Sequence, residues 1–422
     1  MVPFAQDSEQ RASLGEETQR ILRGVRSWPD VPRQVSELVA LGEGSMQHAF
    51  ELLTAGSEPG TPGAQLALDA KRRTALMLLF QGLPSSKARK FLGSISRRPY
   101  LDAERLEALR LSARIAGRTD FASLALLASE GALAPLSREV VQAYDGALRA
   151  CLAHDPRGLR SATRSFRRLP DALVGPFVRA IAETQELGRL ESTRALLELL
   201  GRKSKADALV LLELTRMGQP AIRLEDLQLE HLRTYLSTPS ANLKALTCDA
   251  LRILGDAQSI PGFIELLDQK EPVRSASHRA LVALARRQMP AKQTTWRTWY
   301  EAELDWWRSH AQTSRAAISV GSPAAAAAAL QEVARHRIDD AATAELLLQG
   351  LLRMEPELIV LTCEILASVP AFVTRSMLID LLEHKHPKAR SAAHQALQAN
   401  TGRNLPMEPK YWRALSPSPG RN

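Results

Sequence analysis

The chain has few aromatic residues, few cysteines and few lysines. Phe, Trp and Tyr make up 5% of its 422 residues, although 45% of the chain is apolar. Leu, Ala and Val must therefore supply most of any core, which is typical of packed helices. Alternating runs of β-branched and aromatic residues are scarce, and their scarcity disfavours a large sheet. The three cysteines, Cys151, Cys248 and Cys363, are too few for a disulfide framework.

Long apolar runs and the common signatures of catalysis are missing as well. No stretch of 18 apolar residues occurs, so we expect no transmembrane helix. The first residues lack the basic segment and full apolar core of a signal peptide, which predicts a cytoplasmic protein. A periplasmic or secreted protein is the alternative if this start is the stub of a signal peptide. No metalloprotease, phosphate-loop, dinucleotide or nucleophile-elbow motif is present, so we expect no enzyme activity, no cofactor and no metal.

The C-terminal half contains an internal duplication. The matching pairs, at an offset of 115 and then of 116 residues, are Leu246–Asp249 with Leu361–Glu364, Arg274–His278 with Arg390–His394, and Trp296 with Trp412. The change of offset corresponds to one residue inserted in a turn of the second copy. Since Cys, Pro, His and Trp all stay in register, we interpret the pattern as duplication of a block of several helices.

Each copy reads as a series of short helices separated by Gly and Pro. In the first copy one helix ends at Leu254 and Gly255, a second runs from Ile260 to Leu267, and Pro272 opens the next. Glycine ends a helix without strain because it adopts the left-handed conformation freely. Similar endings occur at Gly42, Gly117, Gly201 and Gly218. Apolar residues at spacings of three and four give each helix one buried face, so the helices must stack.

Two of the duplicated segments, Lys270–Leu281 and Lys385–Leu397, resemble the HEAT repeat, and the Trp segments after them resemble the closing segments of bacterial HEAT proteins. The resemblance is clear over 223–413. It implies an all-α fold of the armadillo type, a right-handed α-solenoid of stacked antiparallel helix pairs. It also implies that Arg274 and Arg390 bind a carboxylate or carbonyl of the preceding repeat.

The same features predict how the chain is organised. Residues 311–323 are small and polar, and we interpret them as an interruption between the two copies. The predicted regions are degenerate helical repeats over 1–222 with a flexible loop at 54–63, a first HEAT-like block over 223–310 that closes with a Trp-rich helix, a second block over 322–413, and a disordered tail at 414–422.

Two basic windows are the first candidates for binding a partner. Residues 71–98 carry eight cations and no acidic residue. In 155–169, Asp155 can cap a helix whose arginines form one stripe opposite an apolar face of Leu159, Ala162, Phe166 and Leu169. Either window could bind phosphate or an acidic protein, and a solvated helix face is the alternative for both. The candidate contacts are Arg72, Arg73, Lys87, Arg89, Lys90, Arg97, Arg98, Arg157, Arg160, Arg164, Arg167 and Arg168.

Four of the six tryptophans lie in one segment, 295–307. On a helix Trp296, Trp299 and Glu303 share a side. Trp296 has a counterpart in the second copy, so we expect a structural role for it. Trp306 and Trp307 have none, and either contact with a partner or closure of the gap between the blocks would explain them.

These observations favour a non-catalytic HEAT-repeat scaffold that binds a protein partner, which could be acidic, or organises a complex. The net charge of +9 permits an acidic partner without requiring one. The alternative is a nucleic-acid-binding helical-repeat protein that uses the Arg-rich stripes at 71–98 and 157–168. Binding of phosphates by several arginines would weaken steeply as the salt concentration rises, which separates the two hypotheses.

Overall fold

The computed structural model forms two compact units, Met1–Glu213 and Leu214–Asn422. Residues whose structure is described are 8–55, 70–83, 85–95, 102–114, 120–129, 136–154, 159–183, 189–218, 226–336, 338, 340–353, 355–369 and 374–414. Across these ranges the regular secondary structure is helical, with no strand. The predicted boundary at 222 falls among residues outside the described ranges.

The first unit contains eleven described helices and the start of a twelfth. They are α1 (Ser8–Arg23), α2 (Val31–Ala40), α3 (Ser45–Ala55), α4 (Ala70–Gly82), α5 (Ser85–Ile95), α6 (Asp102–Arg114), α7 (Asp120–Ser129), α8 (Arg138–His154), α9 (Leu159–Ser165), α10 (Asp171–Glu183), α11 (Arg189–Leu199) and α12 (Ser204–Met217). The last of these crosses the boundary between the units.

The helices of the first unit alternate between two layers. The even-numbered helices α2, α4, α6, α8 and α10 pack one after another, and so do the odd-numbered helices α5, α7, α9 and α11. The few aromatic rings lie where the layers meet. Phe50 and Phe80 both contact Phe91, with ring centroids 6.0 and 6.1 Å away, and Phe166 contacts Phe177 at 5.5 Å. These rings are buried and fill the space between helices that Leu and Ala leave open.

The second unit continues the pattern with helices that the sequence duplication relates to one another. They are α13 (Asp226–Thr234), α14 (Ala241–Leu254), α15 (Ile260–Leu266), α16 (Val273–Ala285), α17 (Gln293–Val320), α18 (Pro323–Arg335), α19 (Asp340–Leu351), α20 (Pro356–Leu366), α21 (Arg375–Asp380), α22 (Pro387–Thr401) and α23 (Pro409–Arg413). Among the even-numbered helices α14 packs on α16, and α18, α20 and α22 pack in sequence. Among the odd-numbered helices α15, α17 and α19 pack in sequence, and α21 packs on α23.

This alternation confirms the all-α fold of stacked helix pairs, that is, an α-solenoid. Each helix buries one face against the next pair, as a repeat that cannot bury its apolar face alone must do. The right-handedness implied by the HEAT resemblance stays a prediction. No described helix combines the length and the hydropathy that a membrane span requires.

The helix ends lie where Gly and Pro predict them. Gly255 follows α14 with φ of 72°, and α15 and α16 then begin at Ile260 and Val273. Three of the other predicted endings, Gly42, Gly201 and Gly218, also have φ between 72° and 76°. Gly117 lies outside the described residues. These values confirm the predicted left-handed conformation. Glycine adopts it without strain because it has no Cβ to clash.

Two predictions about connecting segments, and one about a pair of arginines, need correction. The stretch 311–320 is no interruption, because α17 runs through it and buries Ile318. Ala, Gln, Arg and Ser allow a helix to continue, and the break comes at Gly321. Of the loop expected at 54–63, the first two residues form the end of α3 and the rest lie outside the described residues. Residues 415–422 of the expected tail also lie outside them.

The third correction concerns the two arginines of the HEAT-like segments. Arg274 Nη2 donates to the carbonyl of Ala291 at 3.1 Å, and Arg390 Nη1 donates to those of His384 and Lys385 at 2.9 and 3.1 Å. Both therefore bind carbonyls, as the resemblance implies. Ala291 lies in the link between α16 and α17, and His384 and Lys385 lie in the turn before α22. Neither arginine therefore binds the body of the preceding repeat.

Candidate functional site

Two successive turns of the first unit lie side by side and bring basic residues together. One turn joins α9 to α10 and the other joins α11 to α12. Lys203 Nζ donates to the carbonyl of Leu169 at 2.5 Å and pairs with Asp171 Oδ1 at 2.6 Å. Lys205 Nζ lies 3.3 Å from Asp171 Oδ2. Asp171 is thus held by lysines of the second turn, which fixes the two turns against each other.

The short helix α9 presents its arginines because its other face is buried. Leu159, Phe166 and Leu169 are at most 4% exposed, and this confirms the predicted apolar face for these three positions. A single 3₁₀ turn, Phe166–Arg168, ends the helix. Arg164 and the two arginines of that turn point away from the core and are exposed. Asp155, Arg157 and the side chains of Arg160 and Ala162 lie outside the described residues.

Six cations of these turns form what we call the basic patch. They are Arg164, Arg167, Arg168, Arg202, Lys203 and Lys205. Two carboxylates stand beside them, Asp171 and Glu198, so the patch carries an excess of four positive charges. Hydrogen bonds from Lys203 and then Lys205 lower the pKa of Asp171, so this carboxylate stays ionised and keeps the lysines in place.

Arg164 of α9 and the two arginines of the 3₁₀ turn differ from the lysines in their contacts. Neither Arg164, Arg167 nor Arg168 forms an ion pair or hydrogen bond with any residue that the structure describes. Glu198, the nearest acid on α11, accepts a hydrogen bond from Thr163 Oγ1 at 3.2 Å. Three guanidinium groups therefore face solvent on a rigid support.

The cations of the first basic window, 71–98, contact other helices of the same unit. Lys71 Nζ donates to Arg26 O at 3.1 Å, Arg72 Nε donates to Leu22 O at 3.2 Å, and Lys87 pairs with Glu43. These cations therefore join helices of the first unit to one another. Lys90 is exposed on α5, which packs against α7, as α9 does. Arg97 and Arg98, and the side chains of Arg73 and Arg89, lie outside the described residues.

The second unit contains a buried carboxylate with several partners. Glu303 of α17 is 3% exposed. Its Oε1 accepts a hydrogen bond from Trp299 Nε1 at 3.1 Å and lies 3.4 Å from Arg287 Nη2. Its Oε2 lies 3.1 Å from Nδ1 of His336, just beyond the end of α18. We call this group the Glu303 cluster. These contacts offset the cost of burying the carboxyl group, because each of its oxygens has a polar partner.

Trp306 and Trp307 extend the Glu303 cluster. The ring of His336 stacks on Trp306 with centroids 4.2 Å apart and planes 8° from parallel, and Trp307 Nε1 donates to the carbonyl of His336 at 3.1 Å. Trp306 is 8% exposed and Trp307 is half-buried. These contacts favour closure between neighbouring helices over contact with a partner, most clearly for Trp306. His336 had no local signal in the sequence, since it lies 33 residues from Glu303.

The cysteines are placed as inert core residues. All three are free and buried. Burial, and then the neighbouring acid, raises the pKa of both Cys248 and Cys363 to about 12. Since the thiolate is the nucleophile and the metal ligand, these surroundings disfavour both roles. In the part of the chain that the structure describes, no group of three or more His, Cys, Asp or Glu residues could hold a metal ion.

The stacked helix pairs define a helical-repeat protein, and the basic patch is exposed on its first unit. No protein-family model matches the chain, and no curated protein matches it. Among solved structures it is similar to the karyopherin Kap121p bound to the SUMO protease Ulp1p, with 11% identity and a TM-score of 0.32. That similarity covers 92% of this chain and 45% of the karyopherin, so the chain spans less than half of that protein.

A second similar structure is SYS-1, with 10% identity and a TM-score of 0.28. The similarity covers 94% of this chain and 93% of SYS-1. At these values neither structure assigns the chain to a family. Membership of the HEAT family, and of its bacterial type, stays a prediction.

Proposed function

We propose that this chain is a non-catalytic helical-repeat scaffold that binds a protein partner in the cytoplasm. The observation that carries the proposal is the set of three exposed arginines, Arg164, Arg167 and Arg168, which have no described partner and stand on a helix with a buried opposite face. Arginine is favoured where proteins meet, because its planar group binds carboxylates through two parallel hydrogen bonds.

The state of the reactive side chains supports a role without catalysis. The thiols of Cys248 and Cys363 are held protonated by burial, and Glu303 is occupied by donors from its own unit. These three groups are therefore engaged in packing. Free cysteines are also the usual form in a reducing compartment, which supports the cytoplasmic part of the proposal.

Nucleic-acid binding is the second candidate, and the same three arginines favour it. Guanidinium groups also bind phosphates. The two candidates differ in the residues expected beside the arginines. Single-stranded nucleic acid is bound largely by stacking of its bases on exposed aromatic rings. Phe166 of the 3₁₀ turn and Phe177 of α10, two rings beside the basic patch, are both fully buried. This placement favours a protein partner.

The test is affinity purification of the tagged full chain from its source cells, with and without nuclease. We expect one or a few proteins to be retained after nuclease treatment, and the purified pair to form a complex of fixed stoichiometry in size-exclusion chromatography. Loss of every partner after nuclease treatment would overturn the proposal in favour of nucleic-acid binding. Substrate turnover by the purified chain would overturn its non-catalytic part.

A further inference from the structure

The basic patch contains lysines that are paired with a carboxylate of the same unit and arginines that are exposed beside them. Lys203 and Lys205 are tied to Asp171, and Lys203 also to the backbone of the neighbouring turn. These contacts hold the two turns in a defined arrangement. Arg164, Arg167 and Arg168 are exposed beside them. Because these contacts already fix the two turns, binding an anion has to order only the arginine side chains and not the backbone that carries them.

We propose that the basic patch binds an acidic, extended segment of a partner protein, with carboxylates of that segment pairing with Arg164, Arg167 and Arg168. This inference rests on the proposed function and names the chemistry of the partner. Each guanidinium group presents a planar fork that fits a carboxylate. The existing carboxylate, Asp171, already shows that the patch holds such a group through two cations.

The spacing of the two turns fits a peptide. Neighbouring packed helices lie about 8–10 Å apart, and an extended chain advances about 3.3 Å per residue. An extended segment that pairs with Arg164, Arg167 and Arg168 beside the first turn would therefore reach the second turn within about two to four further residues. A lone phosphate would reach one turn only. The acidic residues that border the patch, Asp171 and Glu198, would repel a continuous phosphate backbone more than a segment with spaced charges.

The experiment measures binding of a labelled peptide of about 12 residues, with Glu at every second position, to the full chain by fluorescence anisotropy. The comparison peptide has Gln in place of Glu, and a single-stranded DNA of similar length is the third probe. We expect the Glu peptide to bind at least about tenfold more tightly than the Gln peptide, with affinity falling as salt screens the charges.

The test variant reverses the three arginines: Arg164→Glu, Arg167→Glu and Arg168→Glu. A matched control, Arg308→Glu, Lys388→Glu and Arg403→Glu, changes the net charge equally at exposed positions of the second unit. We expect the first variant to lose at least about tenfold in affinity for the Glu peptide and the control to stay within about twofold. Circular dichroism confirms that both variants retain the helical content of the parent.

Each other outcome counts against the proposal. Equal binding of the Glu and Gln peptides, or equal losses in the two variants, would show a solvated face with no specific occupant. Tighter binding of DNA than of the Glu peptide, abolished in the first variant only, would assign the patch to nucleic acid. If the first variant still retains the cellular partner of the full chain, the scaffold function stands and the basic patch is not its site. If the parent chain retains no partner, the proposed function itself fails.

Discussion

The two blocks of the second unit share a buried tryptophan and differ in the helix that contains it. Trp296 and Trp412 are 0% and 1% exposed, and a histidine, His278 or His394, meets each edge-to-face with centroids 6.0 or 5.6 Å apart. Each histidine donates from Nε2 at 2.7 Å to a carbonyl eleven residues further on. The duplicated positions thus keep the same packing and the same hydrogen bond.

Ion pairs around the tryptophans repeat as well. Arg297 pairs with Glu265 at 2.7 Å, and Arg413 pairs with Asp380 at 3.1 Å. Beyond this point the copies diverge, because α17 continues to Val320 and carries Glu303, whereas the described part of α23 ends at Arg413. The difference shows that the duplicated core sets the repeat, and that the long helix α17 adds a second set of contacts to it.

The largest effect is expected from removing the shared tryptophans. Trp296→Ala and Trp412→Ala should each lower the free energy of unfolding by about 3–5 kcal/mol, because each leaves a large cavity in a packed core. Urea unfolding followed by circular dichroism measures this loss. Trp28→Ala, at a position 55% exposed, is the control and should change stability by about 0.5 kcal/mol or less. Losses that differ widely between the two copies would show that the tryptophans are not equivalent.

A smaller effect should follow from removing the Glu303 cluster of the first block. Glu303→Ala should lower the free energy of unfolding by about 2–3 kcal/mol, because it leaves Trp299 Nε1 and His336 Nδ1 without their partner. Arg287 also loses an ion pair and keeps its hydrogen bond to the carbonyl of Arg335. Glu301→Ala, two residues away and exposed, is the matched control and should change it by about 0.5 kcal/mol or less. Equal stability of the two variants would mean that the Glu303 cluster does not hold α17 to the end of α18.

The helix ends that precede the tryptophans offer a finer test. Gly402 and Arg286 occupy equivalent positions and both have positive φ, 63° and 53°. Gly402→Ala should destabilise by about 1 kcal/mol, because a Cβ there meets no atom within 4 Å and only the backbone conformation is strained. Gly93→Ala, also in open space but inside α5, should be neutral or stabilising. Thermal unfolding measures both; a destabilising Gly93→Ala would contradict the conformational explanation.

The smallest difference between the two blocks is expected in the reactivity of their equivalent thiols, Cys248 and Cys363. Both thiols have a pKa of about 12 against an ordinary value of 9.0, so at pH 8 the thiolate is roughly a thousandfold scarcer than in an unfolded chain. Alkylation by iodoacetamide, followed by peptide mass spectrometry, should label neither in the native protein and both in urea. Rapid native labelling of one thiol alone would show that the two copies are packed differently.

The same pKa shifts determine the sign of a pH effect on stability. A thiol with a folded pKa above its unfolded pKa keeps its proton in the native state while the unfolded chain loses it. The stability from this source is complete below about pH 9 and is lost as the pH rises from 9 towards 12. Unfolding curves across that range should move to lower denaturant concentration. Serine in place of both cysteines should reduce the movement.

Features carried by neighbouring residues were predictable from the sequence. The helix ends at Gly255 and Gly201 and the burial of Phe166 all follow from local spacing. The prediction over 311–320 was wrong because small polar residues permit either a loop or a helix, and packing of Ile318 decides between them. The two basic windows look alike in sequence, yet only the structure shows that Arg72 binds the backbone of Leu22.

The duplicated block, its helical fold and the exposure of Arg164, Arg167 and Arg168 opposite an apolar face could be predicted from the sequence, because apolar periodicity and turn residues act over a few positions. Which charges pair with one another could be seen in the folded chain alone. Glu303 meets His336 across 33 residues, and Lys203 meets Asp171 across a neighbouring turn, through contacts that no local pattern encodes. The physical reason is that stacking places residues of different repeats side by side, and this proximity decides which cations are paired within the described part of the chain.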